Sequence, residues 1–121
     1  MADLLLRIKE INNSGYNYTN DDWVSTTWDI LTNGVVQTKI QRTLSGEMPS
    51  TIGSISENEF NKLKIELSQF EYKLPKERVN GKEATAYEFT VFDGNNIKYN
   101  YIGYISKSEY LLNIIRLASK H

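Results

Sequence analysis

Residues 23–44 read Trp-Val-Ser-Thr-Thr-Trp-Asp-Ile-Leu-Thr-Asn-Gly-Val-Val-Gln-Thr-Lys-Ile-Gln-Arg-Thr-Leu, and this stretch decides the fold. Val24, Thr26, Trp28 and Ile30 recur with a period of two, which places them on one face of a strand over 23–31. Asn33-Gly34 then interrupts the pattern. That dipeptide favours a type I′ turn, which needs positive φ at both central residues. Val36, Thr38 and Ile40 restore the alternation, so 35–44 is the returning strand of an antiparallel hairpin.

Working outward, Leu4, Leu6 and Ile8 alternate with Leu5, Arg7 and Lys9, which predicts a strand over 4–11. Asn12 to Gly15 is turn chemistry, and Tyr16 to Asp22 reads as a loop or weak strand. Ser45 to Ser54, with Gly46, Pro49 and Gly53, reads as a loop. A helix follows. Ser56 and Glu59 form a capping box, Ile55 and Phe60 a hydrophobic staple, and Phe60, Leu63, Leu67 and Phe70 one apolar stripe. Lys73 to Glu83 is a second polar loop containing Pro75 and Gly81. Residues 84–92 form a strand with Tyr87, Phe89 and Val91 on one face, and Glu88 opposite them. Asp93-Gly94-Asn95-Asn96 turns the chain into 97–104, where Ile97, Tyr99 and Tyr101 share a face. Ser106 with Glu109, and Ile105 with Tyr110, repeat the helix-start pattern ahead of Leu111, Ile114, Ile115 and Ala118.

The expectation is a single α+β domain over 1–121 in the order β-β-β-α-β-β-α. Five mainly antiparallel strands carry two helices on one face and leave the other partly open. The phrase Ile-Ser-x-x-Glu-aromatic occurs at 55–60 and again at 105–110, which suggests a hairpin–helix pseudo-repeat. Capping boxes are generic, however, so two independently well-started helices are the favoured explanation over duplication.

Composition removes several function classes. There is no cysteine, which excludes disulfides, thiolate nucleophiles and cysteine zinc sites. The single histidine is His121, the last residue, so the commonest general base and metal ligand is lacking inside the chain. With 14 basic and 15 acidic residues, no strong pull toward nucleic acid or anionic membrane is expected. No apolar run approaches the roughly 20 residues of a membrane span, and the start does not read as a signal peptide, so a cytoplasmic chain is expected.

The remaining candidates are few. Asp21-Asp22 can be imagined as an acid–base or cation-binding pair, but a solvated turn before the strand at Trp23 is favoured. There is no Gly-x-Ser-x-Gly and no glycine-rich phosphate cradle. Lys73, Lys76, Arg78 and Lys82 interleave with Glu71, Glu77 and Glu83, so their charges largely cancel. Tyr99, Tyr101 and Tyr104 beside Lys98 offer a base-stacking platform, yet tyrosine is also an ordinary strand residue, and nucleic acid is disfavoured as a partner. No catalytic residue, metal site or cofactor is assigned.

The run Arg7-Ile-Lys-Glu-Ile-Asn-Asn-Ser-Gly-Tyr16, a hairpin, a helix, then Ala86-Tyr-Glu-Phe-Thr-Val-Phe-Asp-Gly94 and a final helix resembles small bacterial α+β inhibitors. The nearest named family is the emfourins, which inhibit protealysin-type metalloproteases. The likeness covers most of the chain, which departs in its long Ser45–Ser54 loop, and no inhibitory residue carries over. Size and shape are also similar to immunity proteins of bacterial toxins and phage anti-defence proteins.

Aromatic surplus carries the functional expectation: a non-enzymatic module that binds and neutralises another protein, a toxin, a protease or a defence component. Tyrosine and tryptophan supply large, stiff contact area. The expected contact residues are Tyr16, Tyr18, Trp23, Tyr99 and Tyr101. The alternative is a small-ligand or nucleotide receptor with Trp28, Tyr87 and Tyr101 lining a pocket between sheet and helices. Hairpin edges are also able to pair two copies into a homodimer.

Overall fold

The computed structural model describes residues 3–13, 15, 19–73, 85–103 and 108–119. Its elements, in order, are β1 (Leu4–Asn12), β2 (Trp23–Leu31), β3 (Val35–Arg42), β4 (Gly46–Glu47), β5 (Thr51–Ser54), α1 (Glu57–Ser68), α2 (Phe70–Lys73), β6 (Thr85–Asp93), β7 (Asn96–Gly103) and α3 (Glu109–Ser119). The sheet is antiparallel in the order β4-β3-β2-β1-β6-β7, with β5 also on β3.

The α+β class and the antiparallel sheet agree with the sequence reading. Its count of five strands and two helices is corrected to seven and three among the described residues. The extra strands, β4 and β5, lie inside the stretch expected to be a loop. Each is too short to show a period of its own and exists by pairing with β3, β5 along Val35–Thr38 and β4 at Gln41–Arg42. The short helix α2 follows a break at Gln69, where φ is −105°.

Register defines the two faces. Val36, Ile30, Leu6, Val91 and Tyr99 form one row across five strands, and Thr38, Trp28, Ile8, Phe89 and Tyr101 the next. Leu6, Ile8, Ile30, Val36 and Phe89 are fully buried there, in one cluster with Leu63, Leu67 and Phe70 from the first two helices and Leu111, Ile114 and Ala118 from α3. Both long helices therefore lie over the same face, as the apolar stripes require. Burial of this row set supplies most of the folding drive, at about 25 cal/mol per Å² of apolar surface removed from water.

Two local expectations change. In the first hairpin, Gly34 has φ of +85° but no non-glycine residue among those described has positive φ, so Asn33 is not in the type I′ conformation. The Gly34 N–H donates to the Leu31 carbonyl at 3.0 Å and Ile30 pairs with Val36. This is a connection built on an ordinary turn that ends in a left-handed glycine. In the second hairpin only Gly94, at +59°, is left-handed, and Asp93 pairs with Asn96, the pattern of a type II′ turn.

The two helix starts also differ. Ser56 caps α1 as expected, accepting from the Glu59 N–H at 3.3 Å. At α3 the capping hydroxyl is Ser108, which accepts from the Leu111 N–H at 3.3 Å. Glu109 is thus the first helical residue rather than the third, and the cap expected at Ser106 with Ile105 lies outside the described residues. The repeated phrase does not start two equivalent helices.

Candidate functional site: the open face of the sheet

Residues in the opposite phase make up the other face. Gln37, Asp29, Arg7, Thr90 and Asn100 form one row, and Lys39, Thr27, Lys9, Glu88 and Ile102 the next. No described helix contributes to this side. Between β1, β2, β3 and the β4 turn lies a concavity of about 310 Å³ lined by Arg7, Lys9, Asp29, Lys39, Glu47 and Glu88 among others.

The centre of this face is an ion pair. Arg7 donates from Nε to Asp29 Oδ1 at 2.6 Å and from Nη2 to Oδ2 at 3.3 Å. The two side chains differ sharply in exposure, 44% for Arg7 and 9% for Asp29. The carboxylate is therefore held in place while the guanidinium keeps one side in water. Its hydrogen bond to Asp29, then the field of Asp29 and Glu88, hold the Arg7 pKa above its ordinary value against the opposing cost of burial. Around it, Asn100 donates to Glu88 Oε2 at 3.1 Å and to Thr90 Oγ1 at 3.0 Å, and Lys39 lies 3.9 Å from Glu47. The face is a grid of charges and amides tied to one another in the plane of the sheet.

The residues expected to form an aromatic contact surface are placed differently. Tyr16 and Tyr18 lie outside the described residues. An irregularity between Trp23 and Ser25 shifts the β2–β3 register, so Trp23 shares the helix side with Thr26 and donates from Nε1 to its Oγ1 at 2.8 Å. Tyr99 and Tyr101 are half-buried on the helix face. Tyr99 stacks on Phe70 with centroids 6.0 Å apart and donates its hydroxyl to Glu71 at 2.9 Å. Tyr101 packs at 6.4 Å from Phe89. Tyr99 and Tyr101 thus stand side by side but turn away from the open face. Tyr104 and most of the basic loop, with Lys76, Arg78 and Lys82, fall outside the described residues.

Asp21 has a local task. Its carboxylate accepts from the backbone N–H groups of Leu44 at 3.2 Å and Ser45 at 2.9 Å, and from the Ser45 hydroxyl. Those bonds, the Ser45 hydroxyl foremost, hold its pKa below the usual carboxylate range. The residue closes the β3–β4 turn.

Arg7 and Asp29 are not singled out by the sequence reading. The available signal is Asp29 itself, a poor strand former set between Trp28 and Ile30 in mid-strand, with Arg7 and Lys9 in matching phase. Among the described residues no group of three or more His, Asp or Glu side chains is placed to hold a metal ion. No described helix is long and apolar enough to cross a membrane. No family model, curated protein or solved structure matches the chain.

Proposed function

We propose that the protein is a non-enzymatic binding module that docks on another protein through the open face of its sheet and blocks it, in the manner of an inhibitor or immunity protein. One observation carries this reading: three cations (Arg7, Lys9, Lys39) and three anions (Asp29, Glu47, Glu88) alternate over a face that no described helix covers. Such patterning discriminates between partners more than it adds raw affinity. Exposed Ile102 supplies an apolar part of the contact. Tyr99 and Tyr101 support the face from behind.

The test exchanges two charges. Lys9 and Glu88 are cross-strand neighbours, so Lys9→Glu/Glu88→Lys keeps the pair and the net charge while inverting the pattern shown to a partner. Capture from source-cell lysate with the wild-type chain should identify a protein whose binding to the swap is at least tenfold weaker, with Tm unchanged. Equal capture by both chains would remove the open face from the contact.

A small-ligand receptor is the second reading. It is favoured by a concavity of about 320 Å³ at the seam of α1 with the sheet, floored by Leu5, Leu67, Val91 and Phe92 and flanked by Lys64 and Lys98. A thermal-shift screen over metabolites and nucleotides tests it, because a ligand at 100 times its Kd stabilises by about 2.7 kcal/mol.

A further inference from the structure

Two ladder irregularities on different strands send a side chain to the same place. In the β1–β2 ladder Leu4 pairs with Leu31 and Leu6 with Ile30, which leaves Leu5 as an extra residue. In the β6–β7 ladder Val91 pairs with Tyr99 and Phe92 with Ile97, which leaves Lys98 as another. A bulge breaks the alternation of faces and re-aims the side chain it carries. Leu5 packs against the core cluster, and Lys98 Nζ lies 5.6 Å from the centre of the Tyr99 ring, so both stand on the helix side. Both line the concavity of about 320 Å³ between α1 and the sheet. Its helix wall is Lys64, Leu67 and Ser68, which share a face at i, i+3 and i+4.

Charge and floor together define what fits there. Lys64 Nζ lies over the Phe60 ring at 5.1 Å, and among the described residues neither Lys64 nor Lys98 has a carboxylate within ion-pair distance. Asp93 lines the same concavity, so two cations stand against one anion and the lining carries a net single positive charge. Leu5, Leu67 and Val91 give it an apolar floor. We propose that this concavity, on which the small-ligand reading rests, takes a free monocarboxylic acid with an apolar tail or ring. A carboxylate head between the two ammonium groups balances the charge of the lining, and the apolar body covers the floor. A neutral or cationic ligand leaves the two lysines unmatched. A nucleotide polyphosphate brings more negative charge than the lining can meet, and sets a polar sugar on an apolar floor. The volume lies at the low end of small-molecule sites, about 300–1,000 Å³, which favours a ligand of modest size. Docking on the open face is independent of this ligand, which sits on the helix side of the sheet.

Isothermal titration calorimetry on the full chain tests this with octanoate, octanol, octyltrimethylammonium and acetate: one tail under three heads, and the head without the tail. Octanoate should bind at least tenfold more tightly than each of the others. Lys64→Gln/Lys98→Gln should weaken octanoate about two- to thirtyfold, the worth of two exposed ion pairs, and leave octanol unchanged. Asp93→Asn should act the other way and tighten octanoate by up to about fivefold. All three side chains are exposed, so the variants fold, and circular dichroism checks this. Octanol, octyltrimethylammonium or acetate binding as tightly as octanoate overturns the proposal but leaves a small-ligand site of another class. A double variant that keeps full octanoate affinity also overturns it. So does the absence of binding by all four probes, and the wider metabolite screen then decides separately whether the concavity takes any ligand.

Discussion

Removing Arg7 should cost far more stability than removing its partner. Asp29 is only 6% exposed, and its cross-strand neighbours on the open face are Arg7 and Gln37. Arg7→Met keeps most of the stem that covers the sheet but takes both donated hydrogen bonds from a carboxylate that has little water to turn to. A hydrogen bond to a charged group is worth about 1.5–3 kcal/mol, and a fully buried charge stripped of its partner costs about 3–5 kcal/mol. Arg7 is nearly half in water, so the upper range is discounted, and about 2–3 kcal/mol is expected for Arg7→Met. Asp29→Asn leaves a guanidinium that can swing into solvent, with an expected cost of about 1 kcal/mol. The double variant Arg7→Met/Asp29→Leu has no orphaned charge and should be more stable than Arg7→Met alone. Urea unfolding at pH 7 measures all three, and the double-mutant cycle yields the coupling. A cost below about 0.5 kcal/mol for Arg7→Met, or a larger loss for Asp29→Asn, would refute the idea that the buried carboxylate depends on Arg7.

Two further outcomes follow from local geometry. Gly34→Ala should cost about 1–2 kcal/mol in urea unfolding, the strain of a left-handed residue at φ +85°. The added methyl would meet the Phe60 ring at 3.6 Å, an ordinary contact, so a loss above about 3 kcal/mol would show that the site is tighter than that. Glu10 sits on the helix-side row between Thr26 and Tyr87, and its burial raises its pKa from 4.5 against the lowering effect of the Tyr87 hydroxyl. The folded state then holds its proton more tightly than the unfolded chain, so this group's contribution to stability falls as pH rises from about 4.5 through the raised value. Glu10→Gln should flatten that part of the Tm-against-pH profile and raise Tm at neutral pH; an unchanged profile counts against burial as the cause.

Much of the scaffold was legible because period-two patterning needs no tertiary information. Leu6 with Ile8, Trp28 with Ile30, and Phe89 with Val91 fell on one face in the sequence and do so in the fold. The placing of Glu88 opposite Tyr87 and Phe89 also holds. What failed was set by contacts the local sequence does not carry. The register shift at Trp23 turns that side chain to the helix side, a one-residue effect that no alternation pattern announces. At α3 the Ser108 hydroxyl accepts from the Leu111 N–H, a cap that the Ser-x-x-Glu spacing of the sequence does not single out. β4 and β5 depend on β3 for every ladder bond. The candidate site was half visible: Arg7, Lys9 and Glu88 alternate in plain sight, but that β1 sits between β2 and β6, so that their charges form one grid, is a topological fact.

The aromatic surplus and the polar face have a common explanation. Rings of Phe70, Tyr87, Phe89, Tyr99, Tyr101 and Tyr110 form a chain of neighbours 6.0–6.4 Å apart on the helix side. Two of their hydroxyls fasten the helices, Tyr99 to Glu71 and Tyr110 to the Glu66 carbonyl. Tyrosine is suited to this place because its ring fills core while its hydroxyl reaches a partner. With the rings engaged in holding helices, the docking proposed above falls to the charged face. There, three positive and three negative groups cancel at distances beyond about 10 Å at 0.1 M salt, so they give a partner no long-range pull. Association should then be slow for a charged interface and nearly independent of salt, with selectivity expressed in dissociation once the pattern is in register. Under the proposed docking, a target would be found by diffusion alone and wrong ones rejected at contact, where each misplaced charge must be desolvated without an opposite charge to meet it.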